Sequence, residues 1–198
     1  MQSCVTASRD TLGESWLQAY LAAPIWRFWL GAEICGATVV GALMPSLDGI
    51  GRYYPLTLFA CADAGEELAP PDVDAHEHWF GAVELFLLAT LDGKLGFDAI
   101  AEALDELPMP NHRTAEAAAA AISTLDDGTL AGPAPQQSFA DFFAQRLSFD
   151  HARLYASASF WWTVGGEGYQ PAGFCCHRMP APFLFANMLT GRMKQTVT

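Results

Sequence analysis

The chain has 198 residues, 52% hydrophobic and 16% charged, which suits one folded domain and argues against disorder of the low-hydrophobicity, high-charge kind. Its formal charge of −12 argues against binding nucleic acid or an anionic membrane surface, because affinity for either comes mainly from Lys and Arg. The acid is concentrated: Asp63 to Glu106 holds twelve carboxylates against one base, Lys94, and reads as a solvated helical face or, more sharply, as a docking surface for a basic partner.

Residues 3 to 22 are predicted as a helix, with Leu12, Trp16, Leu17, Tyr20 and Leu21 on one stripe, ended by Pro24. Ile25 to Leu30 is an apolar run around a single Arg27 and predicts a buried strand. After a turn at Gly31 to Gly36, a second strand is expected over Ala37 to Met44, a Pro/Gly/Asp loop over Pro45 to Arg52, and a third strand over Tyr53 to Cys61. Pro55 points to an edge position or a strand start. An acidic, Pro-ended loop spans 63 to 71. Helices are expected at Asp74 to Leu91, with Trp79, Val83, Phe86, Leu87 and Thr90 at helical spacing, and at Phe97 to Leu107. Residues 108 to 137 read as a linker or insertion, helical in part (Thr114 to Leu125), followed by an N-cap at Ser138 and a helix over Phe139 to Leu147. Leu154 to Val164 and Tyr169 to Cys176 predict a hairpin, and Pro182 to Leu189 a last helix. This order predicts a single α/β domain over 1–198: a three-layer α/β/α sandwich around a mixed, largely antiparallel sheet.

No run of roughly 18 apolar residues is present, so no membrane insertion is expected, and the start lacks the pattern of a signal peptide. Five cysteines without a regular frame argue against a disulfide scaffold and point to a reducing cytoplasm.

Motifs for chemistry are weak. His76-Glu77-His78 lacks the spacing that puts two metal ligands on one helix face, and reads as a solvated helix start. Gly49-Ile50-Gly51-Arg52 matches no phosphate loop; its glycines are expected to supply positive φ in a connection, and Arg52 to pair with Asp48. Cys176 and His177 are strand neighbours that face apart. Adjacent Trp161 and Trp162 must face opposite sides of a sheet; a three-layer fold covers both, whereas an exposed one would anchor an interface. No catalytic residue, metal site or cofactor is expected from these residues.

Three blocks remain: Ser8-Arg9-Asp10-Thr11-Leu12-Gly13 running through Trp16-Leu17 and Tyr20-Leu21 to Ala23-Pro24-Ile25-Trp26-Arg27-Phe28; Met44-Pro45-Ser46-Leu47-Asp48-Gly49-Ile50-Gly51-Arg52-Tyr53-Tyr54-Pro55-Leu56-Thr57; and Ser159-Phe160-Trp161-Trp162-Thr163 followed by Pro180, Pro182 and Phe185-Ala186-Asn187-Met188-Leu189. In order and spacing they resemble the TagF (ImpM) family of type VI secretion accessory proteins over nearly the whole chain, 108 to 137 excepted. The family's opening Gly-Lys-Leu-Pro…Gly-Asp-Phe segment has no counterpart before the first helix, which bears on an edge strand and on oligomeric state. The resemblance implies a three-layer α/β sandwich and a cytoplasmic accessory without catalytic activity. It also implies action after translation, as a repressor in some bacteria, on type VI secretion components, a forkhead-associated-domain scaffold protein among them. The candidate partner surface is the loop Pro45, Ser46, Asp48, Gly51, Arg52 and Tyr53, with Trp26, Arg27, Trp161 and Trp162 as further candidates. The alternatives are a small hydrolase-like enzyme using Ser46, Asp48 and Arg52, and a structural subunit pairing through an open sheet edge.

Overall fold

A computed structural model describes residues 2–91, 96–114, 123–124, 130–131 and 153–192. Its centre is β1 (Trp26–Leu30), five consecutive buried residues flanked on one side by β2 (Val39–Leu47) and β3 (Tyr53–Cys61) and on the other by β8 (Ala158–Thr163) and β9 (Ala172–His177). The sheet order is β3-β2-β1-β8-β9. Among the described residues every pairing in it is antiparallel, where the sequence predicts a mixed, largely antiparallel sheet.

Alternation along the strands divides the interior into two cores. Trp26, Phe28 and Leu30 of β1 share one face with Leu43 and Trp161, covered by Trp16 and Tyr20 of α2 (Trp16–Ala22) and by Phe185, Met188 and Leu189 of α6 (Leu184–Thr190); α1 (Gln2–Leu12) packs on α6. Trp29, Val40, Ala42 and Met44 share the opposite face with Trp79, Phe80, Val83 and Leu87 of α4 (Glu77–Leu91). Helices on both faces of one sheet make the expected three layers. The peripheral α5 (Phe97–Asp105) packs on α4 and has no buried residue.

Four of the five buried indoles among the described residues tie the layers together through their N–H groups. Trp16 donates to Ser8 Oγ (2.8 Å), Trp26 to the Met188 carbonyl (3.1 Å), Trp29 to the Leu68 carbonyl (3.0 Å) and Trp161 to Ser159 Oγ (3.0 Å).

Several boundaries differ from the sequence expectation, each for a local reason. The first helix breaks at Gly13, whose φ of +53° leads into a 3₁₀ turn (Gly13–Ser15) before α2. The turn after β1 contains a short helix, α3 (Ala32–Cys35). α4 starts at Glu77 because the Asp74 carboxylate accepts the His76 N–H (2.8 Å) while His76 takes a φ of +49°. Strand β2 runs on to Leu47, taking Pro45 to Leu47 from the expected loop. The expected acidic loop contains β4 (Glu66–Leu68), paired with β5 (His112–Thr114). Within the stretch expected to be helical from Thr114 to Leu125, β5 ends on Thr114, and β6 (Ser123–Thr124) pairs with β7 (Leu130–Ala131). Residues 153–156 are helical, so the expected strand from Leu154 begins only at Ala158. The helix expected at 139–147 with its cap at Ser138 lies outside the described residues.

Among the described residues, Gly31, Gly41 and Gly165 are set by close approach. Gly41 in β2 lies opposite Phe28, and a Cβ there would come within 2.2 Å of the Phe28 ring. That ring is buried and tilted against Trp161 at 5.1 Å, so it has little room to move. Gly41→Ala should therefore cost about 1–3 kcal/mol of stability, read from urea unfolding. A neutral result would mean that the aromatic layer yields freely.

Candidate functional site

The loop joining β2 to β3 is a rigid hairpin end. Leu47 pairs with Tyr53 across it. Within it the Gly51 N–H donates to the Asp48 carbonyl (2.9 Å) and the Asp48 N–H to the Arg52 carbonyl (3.0 Å). Gly51 has φ +81°, so the loop is a four-residue turn closed by a left-handed residue, a common form for this hairpin length. Only Gly51 meets the expectation of positive φ; Gly49 does not take it.

Asp48 organises the loop. Its carboxylate accepts the N–H groups of Ile50 (3.1 Å) and Arg52 (2.8 Å) and the Arg52 Nε–H (2.6 Å). The Arg52 backbone N–H first, and then its guanidinium, hold the Asp48 carboxyl below the usual range. The expected Asp48–Arg52 pair is thus present, and Asp48 is spent on the turn itself. Arg52 differs: its side chain is 77% exposed and keeps donors free for another molecule.

The two prolines of the hairpin fit its register. The Asp48–Arg52 backbone bond fixes which pairs are hydrogen-bonded, and counting by twos puts Pro45 opposite Pro55 at a non-hydrogen-bonded pair. Pro55 therefore points its missing N–H away from β2, on an edge strand, as expected. Pro45 points its own toward β1, whose pairing stops at Trp26 opposite Leu43.

The hairpin is held to the helical layer by Tyr20. Its hydroxyl donates to the Ser46 carbonyl (3.0 Å) and accepts the Ser46 N–H (3.1 Å). Burial raises the Tyr20 pKa, with the Ser46 bond opposing. The ring stacks on Trp16 at 4.7 Å and meets Tyr53 edge-on at 5.6 Å, while the Arg9 guanidinium lies 4.2 Å over Trp16. Ser8, Arg9, Trp16 and Tyr53 thus form the base on which the hairpin stands. Tyr20→Phe should cost about 1–2 kcal/mol by removing the two bonds that its hydroxyl makes to the Ser46 backbone, a drop that thermal unfolding would register. An unchanged transition would mean that water replaces the hydroxyl at no cost.

The remaining candidates separate from this surface. Trp26 and Trp161 are core residues, and Trp162 is half-buried with its ring edge-to-face on Phe80 at 5.2 Å. Arg27 is buried under α4, its Nε donating to Glu84 Oε1 (2.6 Å), its Nη2 to Glu84 Oε2 (3.2 Å) and its Nη1 to Glu77 (2.9 and 3.0 Å), with the guanidinium 4.9 Å over Phe80. Burial works against its charge, but the Glu84 and Glu77 bonds prevail and raise its pKa. The structure thus takes Trp26, Arg27 and Trp161 off the surface. The outward side chains at the hairpin are Ile50, Leu47 and Tyr54, with Arg52. Sequence reasoning passed over Ile50; an apolar residue between two glycines at a turn was the available signal.

His76 departs from the solvated helix start. It is buried, its Nε2 lies 2.9 Å from the Ala69 carbonyl, and its Nδ1 has no hydrogen-bond partner. Among the described residues, no three His, Cys, Asp or Glu are grouped to hold a metal ion, and no helix is long and apolar enough to cross a membrane. The five cysteines are free.

Beside the hairpin, at the end of the sheet, lies a groove of about 670 Å³. The end of α2, Met44 and Pro45 of β2, the later half of α4 and the turn at Val164 to Glu167 line it.

Fold and site together define a three-layer α/β domain that presents a braced hairpin and an adjoining apolar groove. Residues 1–107 match the TagF N-terminal domain, described as type VI secretion system-associated. The chain is also similar to PA0076 from Pseudomonas aeruginosa PAO1, known from a crystal structure at 2.05 Å resolution, with 31% identity and a TM-score of 0.73 over 98% of this chain and 82% of that one. No curated protein matches the chain. The chain belongs to the TagF family, and its association is with type VI secretion.

Proposed function

We propose that this protein is a cytoplasmic accessory that restrains the type VI secretion machine after translation, by binding another of its components through the β2–β3 hairpin. The partner is a forkhead-associated-domain scaffold, and the role is binding without catalysis. The observation that supports this is the division of labour in the loop. Asp48, Gly51 and Tyr20 fix its shape, leaving Arg52 and Ile50 outward on a preorganised surface, which lowers the entropy lost on binding. The hydrolase alternative would need a His or Cys converging on Ser46. The described lining of the adjoining groove has neither, and the Ser46 backbone is taken by Tyr20.

The test is calorimetric titration of the purified protein with the forkhead-associated scaffold from the same secretion locus. Arg52→Glu with Ile50→Ser should weaken binding at least about tenfold, equivalent to about 1.4 kcal/mol, and lower the melting temperature by only a few degrees, because Ile50 is exposed and the Arg52–Asp48 pair that is lost is screened by solvent. Equal affinity in that variant would remove the hairpin as the surface. No binding by the wild type would remove the scaffold as partner.

A further inference from the structure

The groove at the end of the sheet has features that the hairpin does not use. Its floor is Pro24 and Ile25, just before β1, with the Met44-Pro45 segment of β2, and its walls come from opposite layers, α2 on one face and α4 on the other. Leu21, Leu88, Leu91 and Val164 converge on it, and each is half exposed or more. Large apolar side chains gathered in one concavity mark a contact surface, whereas scattered ones do not. The only charged residues in the described lining are Glu84 and Glu167. Glu84 already binds Arg27 below; Glu167 lies exposed in the turn.

We infer that this groove docks an amphipathic helix of a partner protein, with leucine-like side chains on its buried face and Lys or Arg beside them. The groove opens where β1 stops at Trp26, and the β2 residue that faces the gap there, Pro45, has no N–H to give an added strand, so an extended peptide finds little ladder to join. Side chains must make the contact, and a cleft between two helices with apolar walls takes an amphipathic helix by its i, i+4 and i+7 positions. Charge fixes the sign of the flanks, since a carboxylate at the rim and a net charge of −12 favour a cationic helix. The same charge disfavours a second copy of this chain, which would bring acid onto acid. The inference concerns the chemistry of the occupant and stands apart from the identity of the secretion component.

The probe is a designed helical peptide with Leu at i, i+4 and i+7 and Lys flanking them, compared with a version whose Lys are all Glu. It is titrated into the full chain carrying labelled Leu, Val and Met methyls and followed by NMR. The expected result is perturbation of Leu21, Met44, Leu88, Leu91 and Val164 by the Lys peptide and none by the Glu peptide. Leu21→Ser with Leu88→Ser should weaken binding at least about tenfold, and Glu167→Gln about two- to fivefold. Val164→Ser makes the same test in a turn, should the helix variants lose their fold. Three results would each overturn the inference: equal binding of the Glu peptide, perturbation confined to α5 around Ile100 and Leu104, or concentration-dependent shifts of the groove methyls without peptide, which would make the occupant a second copy.

Discussion

Replacing Glu84 by Ala should cost about 3 kcal/mol of folding free energy, because it leaves the Arg27 guanidinium buried with half its partners gone. The Arg27 side chain is 4% exposed and cannot turn to water, whereas those of Glu84 and Glu77 are 20% and 66% exposed. The damage should therefore be asymmetric. Arg27→Met leaves two carboxylates that can hydrate, and should cost only about 1–2 kcal/mol. The double variant Arg27→Met with Glu84→Leu replaces the pair by packed apolar groups and should return to within about 1 kcal/mol of wild type. Urea unfolding of wild type, Arg27→Met, Glu84→Leu and the double variant gives the coupling directly. Additive losses would show that the two side chains act independently and would sink the account of a buried, mutually required pair. The pair also positions the molecule: it fixes the turns of α4 against β1, and with them Leu88 and Leu91 at the groove.

This interaction also shows where the sequence stops being informative. Arg27 inside Trp26-Arg27-Phe28-Trp29-Leu30 signals a buried strand with one charge to satisfy. Period-two alternation then assigns Trp26 and Trp29 to opposite faces, as found, because strand geometry is local. The partners of Arg27 stand 50 and 57 residues away on α4, and no local rule selects Glu77 and Glu84 from twelve carboxylates between Asp63 and Glu106. The hairpin behaves the same way. Asp48, Gly51 and Arg52 were legible as turn chemistry, since each acts within five residues. The brace from Tyr20 to Ser46 crosses 26 residues, and Tyr20 read only as one member of a helix stripe. The β4–β5 pair was hidden because three-residue strands have no usable period and their register is set across 48 positions, as with Glu66 and Thr114. The family blocks fall into place physically: Ser8 accepts the Trp16 indole, Arg9 covers its ring, and Gly13 turns the chain so that α2 can reach the hairpin. Those residues account for the shape of the site more than for its contacts, which leaves Arg52 and Ile50, with Leu47 and Tyr54, as the outward-facing members of the most specific block.

Trp29 joins the acidic segment to the sheet, and its removal should be as severe as that of any core residue. It is 1% exposed, meets Phe160 at 5.8 Å and Tyr155 at 6.3 Å, and donates its indole N–H to the Leu68 carbonyl. The Leu68 N–H in turn donates to Thr38 Oγ1 at 2.7 Å, so both backbone groups of one β4 residue are satisfied by side chains from the sheet region. Trp29→Ala should cost about 3–5 kcal/mol, from lost burial, the cavity left behind and a stranded carbonyl. Trp29→Phe keeps most of the volume and strands only the carbonyl, so it should cost about 1–2 kcal/mol. The two variants separate packing from hydrogen bonding, and amide exchange locates the effect: in Trp29→Phe, protection should fall at Leu68 and across β4–β5 while β1 and β2 keep theirs. If protection fell equally across the five-stranded sheet, the indole bond would not be a local tether, and β4–β5 would share the cooperative unit of the core. If Trp29→Phe cost as much as Trp29→Ala, the carbonyl contact and not the ring volume would hold the acidic segment in place.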